Sequence, residues 1–200
     1  MDGAIISCAG GTAYQGLIKL GVAADDDVVV SGLGPVGLSA VMFAKAMGAR
    51  IIGVEPIEMR RELALKLGAD VVLDPTEGDV VERVKALTAG EGASVVAECS
   101  GSANAQSNAL SCVRPFGRIG FIGMGARELT IDPSIFSAID ITLTGNHVFN
   151  VSLYDRIVRL MVNRGLHLED MTTHRFSLEQ AEEAFRAFDS GRSGKVAFIP

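Results

Sequence analysis

The stretch "SGLGPVGLSA" sets Gly32, Gly34 and Gly37 at G-x-G-x-x-G spacing, and Glu55 follows 23 positions after Gly32. Such a loop, placed between a strand and a helix, can hold the pyrophosphate of a dinucleotide. Gly32 permits the tight turn, Gly34 lets the backbone approach the phosphates, and Gly37 lets helix and strand pack closely; Leu33, Pro35 and Val36 complete the loop. The helix start that follows presents free N–H groups and the positive end of a dipole. Glu55 is suited to accept hydrogen bonds from the adenosine ribose, and its charge repels a 2′-phosphate, which favours NAD over NADP. Arg60 and Arg61 pull the other way, because a guanidinium can clamp a phosphate. A further residue of chemical interest is Cys8 in "IISCAGGTAYQGL". It reads either as a small buried hydrophobe or as one ligand of a metal whose other ligands lie elsewhere.

The remaining reactive residues form no such pattern. Cys99 and Cys112 stand at no metal-knuckle spacing and read as core residues of a strand and a helix. With Cys8 they number three, which argues against a disulfide framework and for a reducing cytoplasm. His147 follows a strand and could approach a bound nicotinamide, whereas His167 and His174 read as structural or solvated. Asp25, Asp26 and Asp27 read as a solvated turn.

The elements that must position these residues alternate strictly. "DVVVSG" (27–32), "RIIGVE" (50–55), "DVVLD" (70–74), "SVVAECSG" (94–101), "GRIGFIG" (117–123) and "DITLTG" (140–145) read as strands. Between them lie helices at 35–47, at 56–68 closed by Gly68, at 79–90, and from near Ser102. Crossovers of this length force parallel strands, and right-handed crossovers on both faces give an α/β, doubly wound, six-stranded sheet of Rossmann type. After Gly145 come a helix at 152–163, a capping-box pattern at Ser177 and Gln180, and "KVAFIP", strand-like with no evident partner.

The totals agree with a nucleotide-binding α/β chain. Its 200 residues are 48% apolar, enough for a substantial core. A formal charge of -6 argues against nucleic acid or an anionic membrane surface as partner. No apolar run reaches membrane-spanning length, and no leader pattern is visible. A methyltransferase would also use a glycine turn and an acidic strand end, but Gly37 and the six-strand alternation favour a dinucleotide.

With these residues in place the sequence resembles the zinc-dependent medium-chain alcohol dehydrogenase family, including its sorbitol and threonine dehydrogenase relatives. The resemblance rests on "CAGGTAYQGL", "VVVSGLGPVGLSA", "GARIIGVE", "LALKLGADVVLD", "VVAECSG", "GRIGFIG" and "SGKVAFIP", and so runs over nearly the whole chain. It implies that residues 1–9 end a catalytic domain lying before Met1, that 10–147 form the dinucleotide domain, and that 148–200 return to the catalytic domain. By the same resemblance Cys8 matches a catalytic zinc ligand, and Thr12, Val36, Ile122 and Asn146 match residues against the nicotinamide. Lys195 matches a basic residue that reaches the pyrophosphate, Arg60 a basic residue on the adenosine side, and Ser100 a cofactor contact. Glu55 departs from the more usual Asp. The implied reaction is hydride transfer between a secondary alcohol or polyol and NAD. The remaining zinc ligands would belong to the preceding domain, so the chain alone is expected to be inactive. The family also pairs at the strand matching 140–145, which implies a homodimer. A zinc-free reductase of the same superfamily and a free-standing dinucleotide-binding module remain as alternatives.

Overall fold

A computed structural model describes residues 1–199. Six parallel strands form one sheet: β1 (Asp27–Ser31), β2 (Arg50–Val54), β3 (Val71–Leu73), β4 (Ala93–Glu98), β5 (Val113–Phe121) and β6 (Thr142–Gly145), in the order β3-β2-β1-β4-β5-β6. This is the doubly wound arrangement expected from the alternation. The order reverses between β1 and β4, and a crevice opens there beyond the strands' carboxyl ends.

Burial on both faces explains the continuous apolar strands. Val28 and Val30 of β1 point into one core layer, Val29 into the other. The first layer is covered by a helical run of α1 (Asp2–Ile5), a π-turn (Ile6–Gly10) and α2 (Gly11–Lys19), together with α3 (Pro35–Met47) and α8 (Tyr154–Arg164). Tyr14 meets Phe43 edge-on with ring centroids 5.3 Å apart, which docks α2 on α3. α4 (Glu58–Lys66) packs beside β2 and β3. The second layer lies under α5 (Val80–Leu87), α6 (Ala103–Cys112) and α7 (Ser134–Ala138). Pro35 starts α3 as expected, the Asp79 carboxylate caps α5, and Gly68, at φ +117°, follows the end of α4.

Three features differ from the expectations. The strand expected at 117–123 begins its ladder earlier, at Val113, but the register then jumps from Ala93–Val113 to Val95–Arg118, so residues 114–117 bulge out. "KVAFIP" does have a partner: β8 (Lys195–Phe198) pairs in parallel with β7 (Thr172–Phe176), and α9 (Ala181–Asp189) connects them. Pro200, the last residue of that expected strand, lies outside the described residues. The third difference is Asp26, which is buried rather than solvated. Its carboxylate accepts from Ser94 Oγ (2.7 Å) and the Ala23 amide (2.8 Å) and pairs with Arg118. The Arg118 guanidinium also donates to the Leu20 and Gly21 carbonyls, at 2.8 and 2.9 Å. Asp25 and Asp27 stay near the surface.

β6 is an edge of the large sheet, and the capping box at Ser177 and Gln180 is formed. Among the described residues no helix is long and apolar enough to cross a membrane.

Candidate functional site

A cleft of about 620 Å³ opens at the switch point. Its walls include Gly32, Gly34 and Pro35 of the glycine loop, Glu55 and Arg60 after β2, and Ser100 after β4. The loop glycines have distinct surroundings. A Cβ on Gly37 would collide with the Gly32 carbonyl oxygen, so this position sets how closely α3 approaches the turn. A Cβ on Gly34 would meet nothing within 4 Å, because it would project into open space. Gly34 caps α3 without a side chain, which leaves the helix start accessible to an anion.

Glu55 is buried beside this loop. Its carboxylate accepts the Leu33 amide at 2.8 Å and the Ile57 amide at 3.2 Å. A carboxylate offers about four acceptor positions, so the two amides leave capacity for donors arriving from the cleft. Arg60 approaches the same carboxylate at 3.9 Å. Arg61 is committed away from it, to Asp74 at 2.9 Å and to the Glu55 and Pro56 carbonyls.

A second group gathers between α2 and the ends of β5 and β6. Asn146 donates to the Thr12 carbonyl at 3.0 Å, and a Cβ on Gly16 would press on Ile122. Gln15, which the sequence reading did not single out, donates to Asn146 Oδ1 at 2.8 Å and accepts the Asn150 amide at 2.7 Å. Leu33 is buried under the glycine turn; Val36 and Lys195 are partly buried outside the cleft wall. Cys8 is exposed on the π-turn, and His147 is exposed after β6. Among the described residues no three His, Cys, Asp or Glu side chains are grouped to hold a metal. A catalytic zinc takes three protein ligands, so these residues do not by themselves fit one.

Zinc-binding dehydrogenases as a family match residues 35–163. The chain belongs to this family. It is 39% identical over 178 residues to L-threonine 3-dehydrogenase of Pyrococcus horikoshii, covering 86% of this chain and 51% of that protein. It is 38% identical over 199 residues to an uncharacterized zinc-type alcohol dehydrogenase-like protein of Escherichia coli, covering 98% and 56%. Among solved structures, the alcohol dehydrogenase of a Thermus species superimposes with TM-score 0.86 at 34% identity, over 94% of this chain and 55% of that one. The chain thus spans about half the length of the curated relatives it matches.

In this zinc-binding dehydrogenase chain, the sequence does not single out a buried carboxylate beside the cleft. Glu98, at the end of β4, is fully buried and accepts the Ser100 amide at 2.7 Å, the Ser100 hydroxyl, and the Gly101 amide at 3.0 Å. It therefore fixes the turn that packs directly against Gly32, where a Cβ on Gly32 would meet Ser100 Cβ at 2.6 Å. The only signal in the sequence was an acidic residue closing an otherwise apolar strand. Cys99 and Cys112 both line the cleft as thiols. Burial pushes Cys112 up to about 12 and likewise raises Cys99, where the Glu98 charge adds to the rise. Neither is suited to act as a nucleophile near neutral pH.

Proposed function

We propose that this chain binds NAD(H) in preference to NADP(H), as the cofactor-binding part of an oxidoreductase that moves hydride between a secondary alcohol or polyol and the nicotinamide. Glu55 carries this reading: a buried carboxylate tied to the glycine loop at 2.8 Å, with spare acceptor positions at the cleft. Ribose hydroxyls can use those positions, whereas a 2′-phosphate would face a like charge. The names of the relatives, alcohol and threonine dehydrogenases, support the alcohol as substrate class.

The nicotinamide, when bound, supplies the hydride acceptor and donor. The chain's own residues bind and orient. Gly32, Leu33, Gly34, Pro35, Val36 and Gly37 offer close backbone and a helix start to the pyrophosphate, and Lys195 adds a cation to it. Glu55 and Arg60 hold the adenosine ribose, with Ser100 on the opposite wall. Thr12 and Asn146, joined by the Asn146–Thr12 bond, form a wall beside the nicotinamide with Ile122 and Val36. Cys8 offers one metal donor and would complete a zinc site only with ligands from outside the described residues.

The test is direct. Titrating the chain with NADH should give saturable fluorescence enhancement, with Kd inside the roughly 1 µM to 1 mM window over which Michaelis constants usually fall. Adding a secondary alcohol and NAD+ should yield no NADH. No saturable binding would sink the cofactor reading, and alcohol-dependent NADH formation would sink the view that this chain alone does not catalyse.

The β6 edge belongs to the same proposal. Residues 140–145 lack the Lys or Pro that blunts an exposed edge, and a second copy pairing there would continue the sheet. Light scattering at micromolar concentration should then give twice the chain mass; the mass of one chain would refute the pairing.

A further inference from the structure

Arg60 touches two parts of the molecule at once. Its Nε donates to the Ser193 carbonyl at 2.9 Å, in the turn between α9 and β8, while a terminal nitrogen faces Glu55 at 3.9 Å. Both side chains are largely shielded, at 18% and 5% exposure. The turn it grips has little room to move. A Cβ on Gly194 would lie 2.5 Å from the Met171 carbonyl oxygen and 2.7 Å from the Leu63 side chain of α4, and the Gly194 amide donates to Thr173 Oγ1 at 3.0 Å. Lys195 is the next residue, and Phe188 of α9 lines the same cleft as Arg60.

A guanidinium is a rigid planar fork, so fixing one of its nitrogens restrains the others. At 3.9 Å the Glu55 contact is longer than the about 2.7–2.9 Å of a good charge-assisted hydrogen bond. The Ser193 end is therefore the firmer of the two.

We propose that Arg60 is a positioning residue that couples occupation of the ribose end of the cleft to the placement of the 190–194 turn and of β8, which bears Lys195. The inference rests on the reading of the cleft as a dinucleotide site. A ribose diol that fixes the Glu55 carboxylate fixes the charge facing Arg60, and the planar group passes that restraint to Ser193. Binding at the adenosine end thereby helps settle the strand that carries the cation for the pyrophosphate. Arg61, held by Asp74 and two carbonyls, cannot substitute.

Amide hydrogen exchange on the whole chain, with and without saturating NAD+, tests this. In the wild type NAD+ should slow exchange at 192–198 by about fivefold, the effect of a restraint near 1 kcal/mol on local opening. Arg60→Lys keeps a charge beside Glu55 but loses the fork, so at an NAD+ concentration that saturates the variant the start of α3 should still be protected while the slowing at 192–198 disappears. Ser193→Ala keeps the carbonyl, and its hydroxyl has no partner among the described residues, so it should behave as wild type. If NAD+ protects the start of α3 but not 192–198 in the wild type, the coupling is wrong and the cofactor site stands. Full protection in Arg60→Lys also overturns the coupling. If NAD+ protects neither segment and no binding is measurable, the cofactor reading fails and the coupling falls with it. Absence of protection at 192–198 in the wild type overturns the coupling even where a variant folds poorly, and its presence supports the coupling only together with its loss in Arg60→Lys.

Discussion

Gly37→Ala is expected to lower the unfolding free energy by about 3 kcal/mol, at the upper end of ordinary overpacking costs. The added methyl has no flexible neighbour to displace: it would strike the carbonyl oxygen of Gly32, and Val30 Cγ1 lies 3.5 Å away on the sheet below. Relief requires either lifting the first turn of α3 or turning a peptide of the glycine loop. Gly34→Ala provides the contrast. Its φ of -72° and ψ of -172° suit any residue, and its Cβ would enter empty space, so stability should change by less than about 1 kcal/mol. Its NADH affinity should nevertheless fall by about tenfold, because the methyl occupies the ground where backbone and phosphate would meet. Urea unfolding and NADH titration on the two variants separate the roles. Equal stability loss in both would show that the loop geometry is misassigned, and unchanged NADH affinity in Gly34→Ala would count against phosphate binding at this loop.

Asp26→Ala is expected to cost a similar amount, also about 3 kcal/mol, at the low end of the range for breaking a buried pair because Arg118 keeps some contact with solvent. The substitution removes the acceptor for Ser94 Oγ and for the Ala23 amide, and leaves the guanidinium facing only the Leu20 and Gly21 carbonyls. These partners come from the end of α2, the entry to β1, β4 and β5, so the carboxylate joins four elements at one point. Urea unfolding again provides the measurement, and a loss below about 1 kcal/mol, typical of an exposed pair, would show that the Asp26–Arg118 pair contributes no more than a surface one.

Asp26 also shows where reading the sequence stops. In "DDDVVV" three adjacent acids look alike, and only a partner at position 118 distinguishes the middle one. Glu98 was hidden in the same way: its acceptor role depends on a turn that folds back on it. By contrast, β1, β2, β4 and α3 were legible because burial on both faces, glycine punctuation and a proline at the helix start are local properties. The loop glycines and Glu55 were legible for the same reason, since their spacing reports their geometry. β7 was not. "TTHRF" is polar and lies on a partly exposed two-stranded sheet, so no apolar alternation marks it, and it becomes a strand by pairing with β8. The helical run before β1 went unnoticed because its glycines discourage a helical assignment, although packing against α3, α8 and the residues around Phe149 holds it.

The sheet order has a consequence for how the chain reaches this state. Val28 lies beside Val95, and the cleft's two walls, Gly32 with Glu55 on one side and Ser100 on the other, are brought together by that long-range pairing. Closing so long a loop costs entropy before any contact across it forms, which places such pairings late on a folding route. A chain ordered only as far as Asp74 would own the glycine turn and its acidic partner, but nothing for them to face. The crevice comes into being when the second half of the sheet docks on the first.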